Sequence, residues 1–353
     1  MSFYSKFYSK KYKYFLIVPV VVLLVTLALI FGLGIKQSID LSGGTLVSIY
    51  TTQHINPKEV KTFLQDQFGL QDLSVNLSSG ISNKRLDIQY LQQSELSSLK
   101  QKIDAIKAKY SQADAIASTK ALLTQYNIDL NTINAKKYSD WISQLDLLYN
   151  TQKNIMSNKI LTALHNKFNL DITNAAIKEI SPTLSQSFYS KSVTVAIIAI
   201  IGIILLIFIV YRAFVPSIAI VASGIIDVLG GLAGLAIIGI PLSLVTIPAL
   251  LMLLGYSIDT DVMLTTKLIK RHDASSVERA GSAMRTGIYM TTTSLGAIFV
   301  MMIFSVIYNV AVFFDISIVL IFGLVTDLFA TWLMNAPIIL WYVESKKKNK
   351  SGK

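Results

Sequence analysis

Six stretches of this chain are long and apolar enough to cross a bilayer, and that feature limits the fold more than any other. A spanning helix needs about 20 mostly apolar residues. Inside lipid the backbone polar groups must be satisfied within the segment or within a closed barrel. The stretches are residues 15–33, 193–211, 217–240, 242 to about 264, about 289 to 307, and about 316 to 343. Hydrophobic residues make up 52 % of the chain and charged residues 15 %, against about 25 % charge in soluble proteins. The expected class is a polytopic α-helical membrane protein with six transmembrane helices. The first stretch begins after basic residues, as a signal peptide would. It is too long for one, and Gly34-Ile35-Lys36 is not a small-residue cleavage site, so it reads as an uncleaved anchor.

The net charge of +11 is a topology signal. Lys6, Lys10, Lys11 and Lys13 precede the first span, and Arg212 separates the second from the third. Lys267, Lys270, Arg271 and Arg279 lie in a loop at about 267–285, and Lys346, Lys347, Lys348, Lys350 and Lys353 form the tail. The turns around Pro241 and Asn309 carry no Lys or Arg. An even number of spans puts all the basic segments on one side, which should be the cytoplasm. Residues 1–14 and 344–353 are then cytoplasmic, and 34–191 lie outside. The basic segments suit anionic lipids; with no basic and aromatic groove, nucleic acid is not an expected partner. There is no Cys, and His54, His165 and His272 are far apart. Disulfides, thiolate chemistry, iron–sulfur clusters and a His metal site are therefore not expected. No nucleotide-binding or hydrolase motif occurs, so the chain reads as a non-enzyme that needs no cofactor or metal.

Within 34–191, residues 44–51 alternate as a strand. Asn56-Pro57-Lys58-Glu59 opens a helix that Gly69 can close. Residues 73–77 and 85–90 read as strands about a Ser-Ser-Gly turn, 94–110 as a helix, and 175–180 as a last strand before Ser181-Pro182. The order βαββαβ predicts an α+β ferredoxin-like domain. Residues at about 111–168 exceed that pattern and read as a helical insertion, either a solvated decoration or a surface for a partner or emerging peptide. Spans two to six then occupy 192–343.

The acids inside the spans are the informative residues. Each costs about 2.5 to 3.5 kcal/mol at the bilayer centre on insertion scales, and such residues usually face the bundle interior. They are Asp227 in span three, Asp259 and Asp261 in span four, and Asp327 in span six. At i,i+2, Asp259 and Asp261 point to different faces, so at most one should meet Asp227 or Asp327. Arg285 is the expected cationic partner, and Thr260, Thr265, Thr266 and Thr291 to Ser294 offer hydroxyls. Two readings stand: a proton relay through Asp227, Asp259, Asp261, Arg285 and Asp327, or fixed hydrogen-bonding glue between helices. Gly230-x-x-x-Gly234 permits close helix packing, expected within the chain.

Five short motifs in order resemble the SecF family of protein-export membrane proteins, in its archaeal branch. Asp40-Leu41-Ser42-Gly43-Gly44-Thr45 follows span one, and Ser181-Pro182-Thr183-Leu184 leads into span two. Gly255-Tyr256-Ser257 lies in span four, Arg285-Thr286 precedes the Thr-rich start of span five, and Gly323 to Asp327 with Thr331-Trp332 and Asn335 lies in span six. Bacterial members have an acid where this chain has Thr260, so the proton-linked role implied by the resemblance falls to Asp259 or Asp261. The resemblance implies work with SecD, a similar six-span subunit, beside the Sec translocon. The pair assists late steps of export of a translocating polypeptide, coupled in bacteria to the proton gradient. The alternatives are a half-transporter of the resistance-nodulation-division type and a non-transporting membrane scaffold or chaperone.

Overall fold

The computed structural model describes residue 8 and residues 12–351, except 54, 71, 80–83, 92–93, 109–110, 131–132, 136, 174, 181, 272 and 309. Lys6, Lys10, Lys11, His54, Gly80, Ser181, His272, Asn309 and Lys353 lie outside the described residues. The chain divides into two units, Met1–Ser42 with Pro182–Lys353, and Gly43–Ser181.

In the first unit a single 3₁₀ turn, Tyr12–Leu16, leads into α1 (Ile17–Leu33). A linker then reaches the short helix α2 (Ile39–Ser42), whose Ile39, Asp40 and Leu41 are buried.

The second unit begins with β1 (Gly44–Thr51). In α3 (Pro57–Phe68) the Asn56 Oδ1 accepts from the Lys58 amide at 3.0 Å, Pro57 takes the first turn, and Gly69 closes the helix in the left-handed region. Strands β2 (Ser74–Ser79) and β3 (Lys84–Tyr90) follow, then helices α4 (Ser94–Lys107), α5 (Gln112–Gln125) and α6 (Tyr138–Phe168), and last β4 (Ala176–Ile180). The sheet is antiparallel in the order β2-β3-β1-β4, with Val47 opposite Ile88 and Ile177. Alternation along β1 and β3 puts Val47, Ile49, Leu86 and Ile88 on the buried face, against Val60 and Leu64 of α3 and Ile160, Leu161 and Leu164 of α6.

One expectation is corrected here. The second helix covering the sheet is not the one that starts at Ser94 but the C-terminal half of α6, inside the stretch read as an insertion. Leu99, Ile103 and Ile106 of α4 instead form a separate core with Leu122 and Leu123 of α5 and Leu145 and Leu148 of α6. At 31 residues α6 is about 46 Å long, enough to serve both cores. Each of the three helices has an apolar stripe, and local pattern does not say which one returns to the sheet.

The first unit resumes with α7 (Pro182–Tyr211), α8 (Phe214–Ile238), α9 (Thr246–Ile269), α10 (Ser276–Ile307) and α11 (Ala311–Ala330). A π-helical turn, Thr331–Asn335, continues α11 into α12 (Ala336–Ser351). Six helices among the described residues are long and apolar enough to cross a membrane. The fifth begins 13 residues before the expected 289, because hydropathy counts its polar first turns against it while a capping box starts it firmly. Ser275 and Glu278 satisfy each other's backbone amides at 3.2 Å.

The interior helix is α8, which packs on α1, α9 and α11. Its small residues are used inside the chain, as expected. A Cβ at Gly230 would overlap the Thr326 side chain, and one at Gly234 would enter the Phe322 ring. From the facing helix, a Cβ at Gly323 would meet Leu253. This close approach brings the acidic positions of three helices together.

Candidate functional site

Asp227 of α8, Asp261 of α9 and Asp327 of α11 are all fully buried. Asp327 stands close enough to interact electrostatically with both of the others. The Ser257 hydroxyl donates to Asp227 Oδ2. The Thr331 hydroxyl lies 2.8 Å from Asp261 Oδ1 and 2.9 Å from Asp327 Oδ1, with Ser223 and Asn335 beside Asp261. A hydroxyl carries one proton, so both bonds are at full strength only when one of the two carboxyls supplies a second. The second oxygen of each acid, Asp227 Oδ1, Asp261 Oδ2 and Asp327 Oδ2, has no partner among the described residues. The Thr331 hydroxyl therefore ties α9 to α11 by bridging two buried carboxyls.

Thr331 owes its place to the π turn, and the turn has a sequence cause. Pro337 has no N–H, so the Leu333 carbonyl loses its α-helical donor, and the proline ring crowds that carbonyl. The chain responds by widening one turn: the Ala336 amide bonds to the Thr331 carbonyl five residues back. Asp327, Thr331 and Asn335 are spaced by four and share a face. That spacing was the signal by which Thr331 and Asn335 could have been assigned to the acids.

The i,i+2 argument holds in the geometry: Asp261 joins the buried acids and Asp259 does not. Asp259 is exposed and lines a cavity of about 580 Å³ with Tyr256, Thr260, Arg285, Thr286, Tyr289 and Thr291. Arg285 does not become the cationic partner of the buried acids. Its guanidinium lies 5.9 Å from the centre of the Tyr289 ring, and among the described residues it has no ion pair with them. The five expected relay residues thus fall into two groups, a buried acid trio and an open cavity holding one acid and one arginine. Of the hydroxyls, Thr260 and Thr291 line the cavity, and Thr266 contacts the Tyr211 hydroxyl at 3.0 Å.

Residues 159–345 match the family described as protein export membrane protein SecD/SecF, C-terminal. The chain belongs to this family. It is 28 % identical to the protein-export membrane protein SecF of Methanothermobacter thermautotrophicus over 338 residues, which cover 95 % of this chain and 94 % of that one. The SecF of Methanocaldococcus jannaschii is also 28 % identical, over 343 residues covering 97 % and 99 %. A crystal structure of SecDF, a translocon-associated membrane protein from Thermus, superposes with a TM-score of 0.58 at 13 % identity. That match covers 96 % of this chain and spans 38 % of the SecDF chain, and it shows the fold.

Within this SecD/SecF fold the motif residues after span one make a sewn linker. The Leu242 amide donates to the Lys36 carbonyl and the Ser38 amide to the Leu242 carbonyl, both at 2.8 Å. The Ser185 hydroxyl donates to the Ile39 carbonyl at 2.9 Å. Gly43 (φ +79°) and Gly44 (φ +126°) then turn the chain into β1, and a Cβ on Gly44 would stand 2.5 Å from the Tyr90 carbonyl oxygen. That is why the motif carries two glycines before Thr45, which is itself buried. Pro182 opens α7, where a missing N–H costs nothing. In the third motif Gly255 and Tyr256 are exposed, while Ser257 holds Asp227.

Proposed function

We propose that this chain is the SecF-type subunit of a Sec-pathway export assembly and works with a SecD-like membrane partner. In this reading both termini are cytoplasmic, and residues 34–191 act outside the membrane on the emerging polypeptide beside the translocon. The observation that carries the coupling is the Thr331 bridge between two buried carboxyls. A bridge that needs one shared proton changes its bonding when that proton leaves, and the helices it joins, α9 and α11, then repack. A bistable contact of this kind is what a gradient-driven subunit requires.

The cavity supports the partner. Asp259 and Arg285 are exposed on spanning helices, and a charged group facing lipid at depth is costly. A neighbouring membrane segment with polar groups would remove that cost. The scaffold alternative assigns the acids a fixed role and expects neutral isosteres to work.

Because the chain has no cysteine, a single Cys at Tyr289 gives a clean crosslinking probe of what covers the cavity. Crosslinking to a SecD-like chain supports the partnership, and crosslinking only to a second copy of this chain refutes it. The coupling is tested by Asp261→Asn with Asp327→Asn in an export assay run with and without a proton gradient. Loss of the gradient-dependent component is expected; an unchanged rate in both conditions refutes the coupling.

A further inference from the structure

The π turn leaves one more carbonyl without its helical donor. The α-helical partner of the Trp332 carbonyl would be the Ala336 amide, which is already bonded to Thr331. Its π-helical partner would be Pro337, which has no N–H. Both residues are buried, so this oxygen needs a donor from elsewhere.

The donor comes from the other end of the chain. The Tyr8 hydroxyl donates to the Trp332 carbonyl at 2.8 Å, and Tyr8 is only 1 % exposed. Its ring packs edge-on to Phe15 at 6.5 Å between centroids. It shares an apolar cluster with Leu264 and Leu268 of α9, Ala280 and Ala283 of α10, and Ile339 and Leu340 of α12. Trp332 itself fills a notch: a Cβ at Gly287 would collide with its indole. A second tether follows four residues on, where the Tyr12 hydroxyl donates to Glu344 Oε2 at 2.8 Å. Burial and the Glu344 carboxylate push the Tyr12 phenol up to about 12, so it stays a donor.

We propose that Tyr8 is a positioning residue for the acid trio. Its hydroxyl locks the π turn, and so holds Thr331, the neighbour of Trp332, between Asp261 and Asp327. Tyr8 is on this reading a latch on the buried acids. The inference rests on the role proposed above for those acids, but the latch is measured independently of it.

The test uses the full-length chain in lipid nanodiscs. Tyr8→Phe removes the donor and keeps the ring, and Tyr12→Phe removes only the Glu344 tether. Losing one buried hydrogen bond corresponds to roughly tenfold in a local opening equilibrium. Amide exchange over residues 331–340 is therefore expected to quicken about tenfold in Tyr8→Phe and to stay near wild type in Tyr12→Phe. The carboxyl stretching bands of Asp261 and Asp327, assigned by Asp→Asn substitution, are the second readout. Tyr8→Phe is expected to displace them in the same direction as Thr331→Val. Unchanged exchange over 331–340 overturns the latch, and faster exchange with unmoved carboxyl bands overturns the positioning role. Export that ignores the proton gradient would instead refute the coupling reading, and the exchange result would still decide the latch.

Discussion

Removing the Thr331 hydroxyl should loosen the contact between α9 and the π turn by a predictable amount. Thr331→Val keeps the branched shape and deletes the one oxygen that reaches both carboxyls, at 2.8 and 2.9 Å. Interhelical side-chain hydrogen bonds in membranes are worth about 0.6 kcal/mol on average and about 1.7 at most. Two such bonds lost together give about 1 to 3 kcal/mol, with the upper end favoured because Thr331, Asp261 and Asp327 are wholly buried. The measurement is reversible unfolding in bicelles by steric trapping, with Thr331→Ser as the comparison. Serine keeps the hydroxyl and loses a methyl, so it should retain most of the stability despite the smaller side chain. A Thr331→Val chain as stable as Thr331→Ser would refute the bridge, because packing alone favours valine.

Three further outcomes follow from the geometry. Gly230→Ala places a methyl into Thr326 and should cost about 1 to 3 kcal/mol by overpacking, read in the same unfolding assay; no loss would mean that the Thr326 side chain is not packed against Gly230. Gly44→Ala combines φ +126° with a clash on the Tyr90 carbonyl and should cost about 1 to 3 kcal/mol, seen as faster amide exchange in β1 and β3; unchanged protection there would refute the tight crossing. The Asp171 carboxyl is held below its ordinary range by the Thr173 hydroxyl at 2.6 Å and the Thr173 amide at 2.9 Å, so Thr173→Ala should raise its titration midpoint in NMR, with an unmoved midpoint refuting the hydroxyl bond. The wild-type contribution of Asp171 to stability is present above the carboxylate's unfolded midpoint and is lost as pH falls through the depressed folded one.

Much of the site was legible as residue types but not as groups. Each of Asp227, Asp261 and Asp327 stands out alone, because an acid in an apolar span has few cheap explanations. The spacing of Asp259 and Asp261 correctly separates their faces, yet nothing local says which face looks inward. Arg285 misled for a related reason: it stands just before the expected fifth span, but Gly287 is the position of α10 that meets Trp332, and Arg285 lines the cavity instead. Tyr8 carried no local signal at all, since its partner is a carbonyl 324 positions away.

The sequence by itself determined the membrane class, the number of spans, the place of a folded α+β domain between spans one and two, and the order of its strands along the chain. Those follow from hydropathy over about 20 residues, from period-two alternation and from caps and glycines, all properties of neighbouring residues. Pro337 likewise makes a helical defect inevitable within one turn of itself. The tertiary structure alone decided which three acids meet, which helix covers the sheet and what satisfies the carbonyl that the defect exposes. Those outcomes depend on rigid helices pressed together over glycine contacts, where a rotation of one residue changes every partner, and no local term in the sequence is large enough to choose among the rotations.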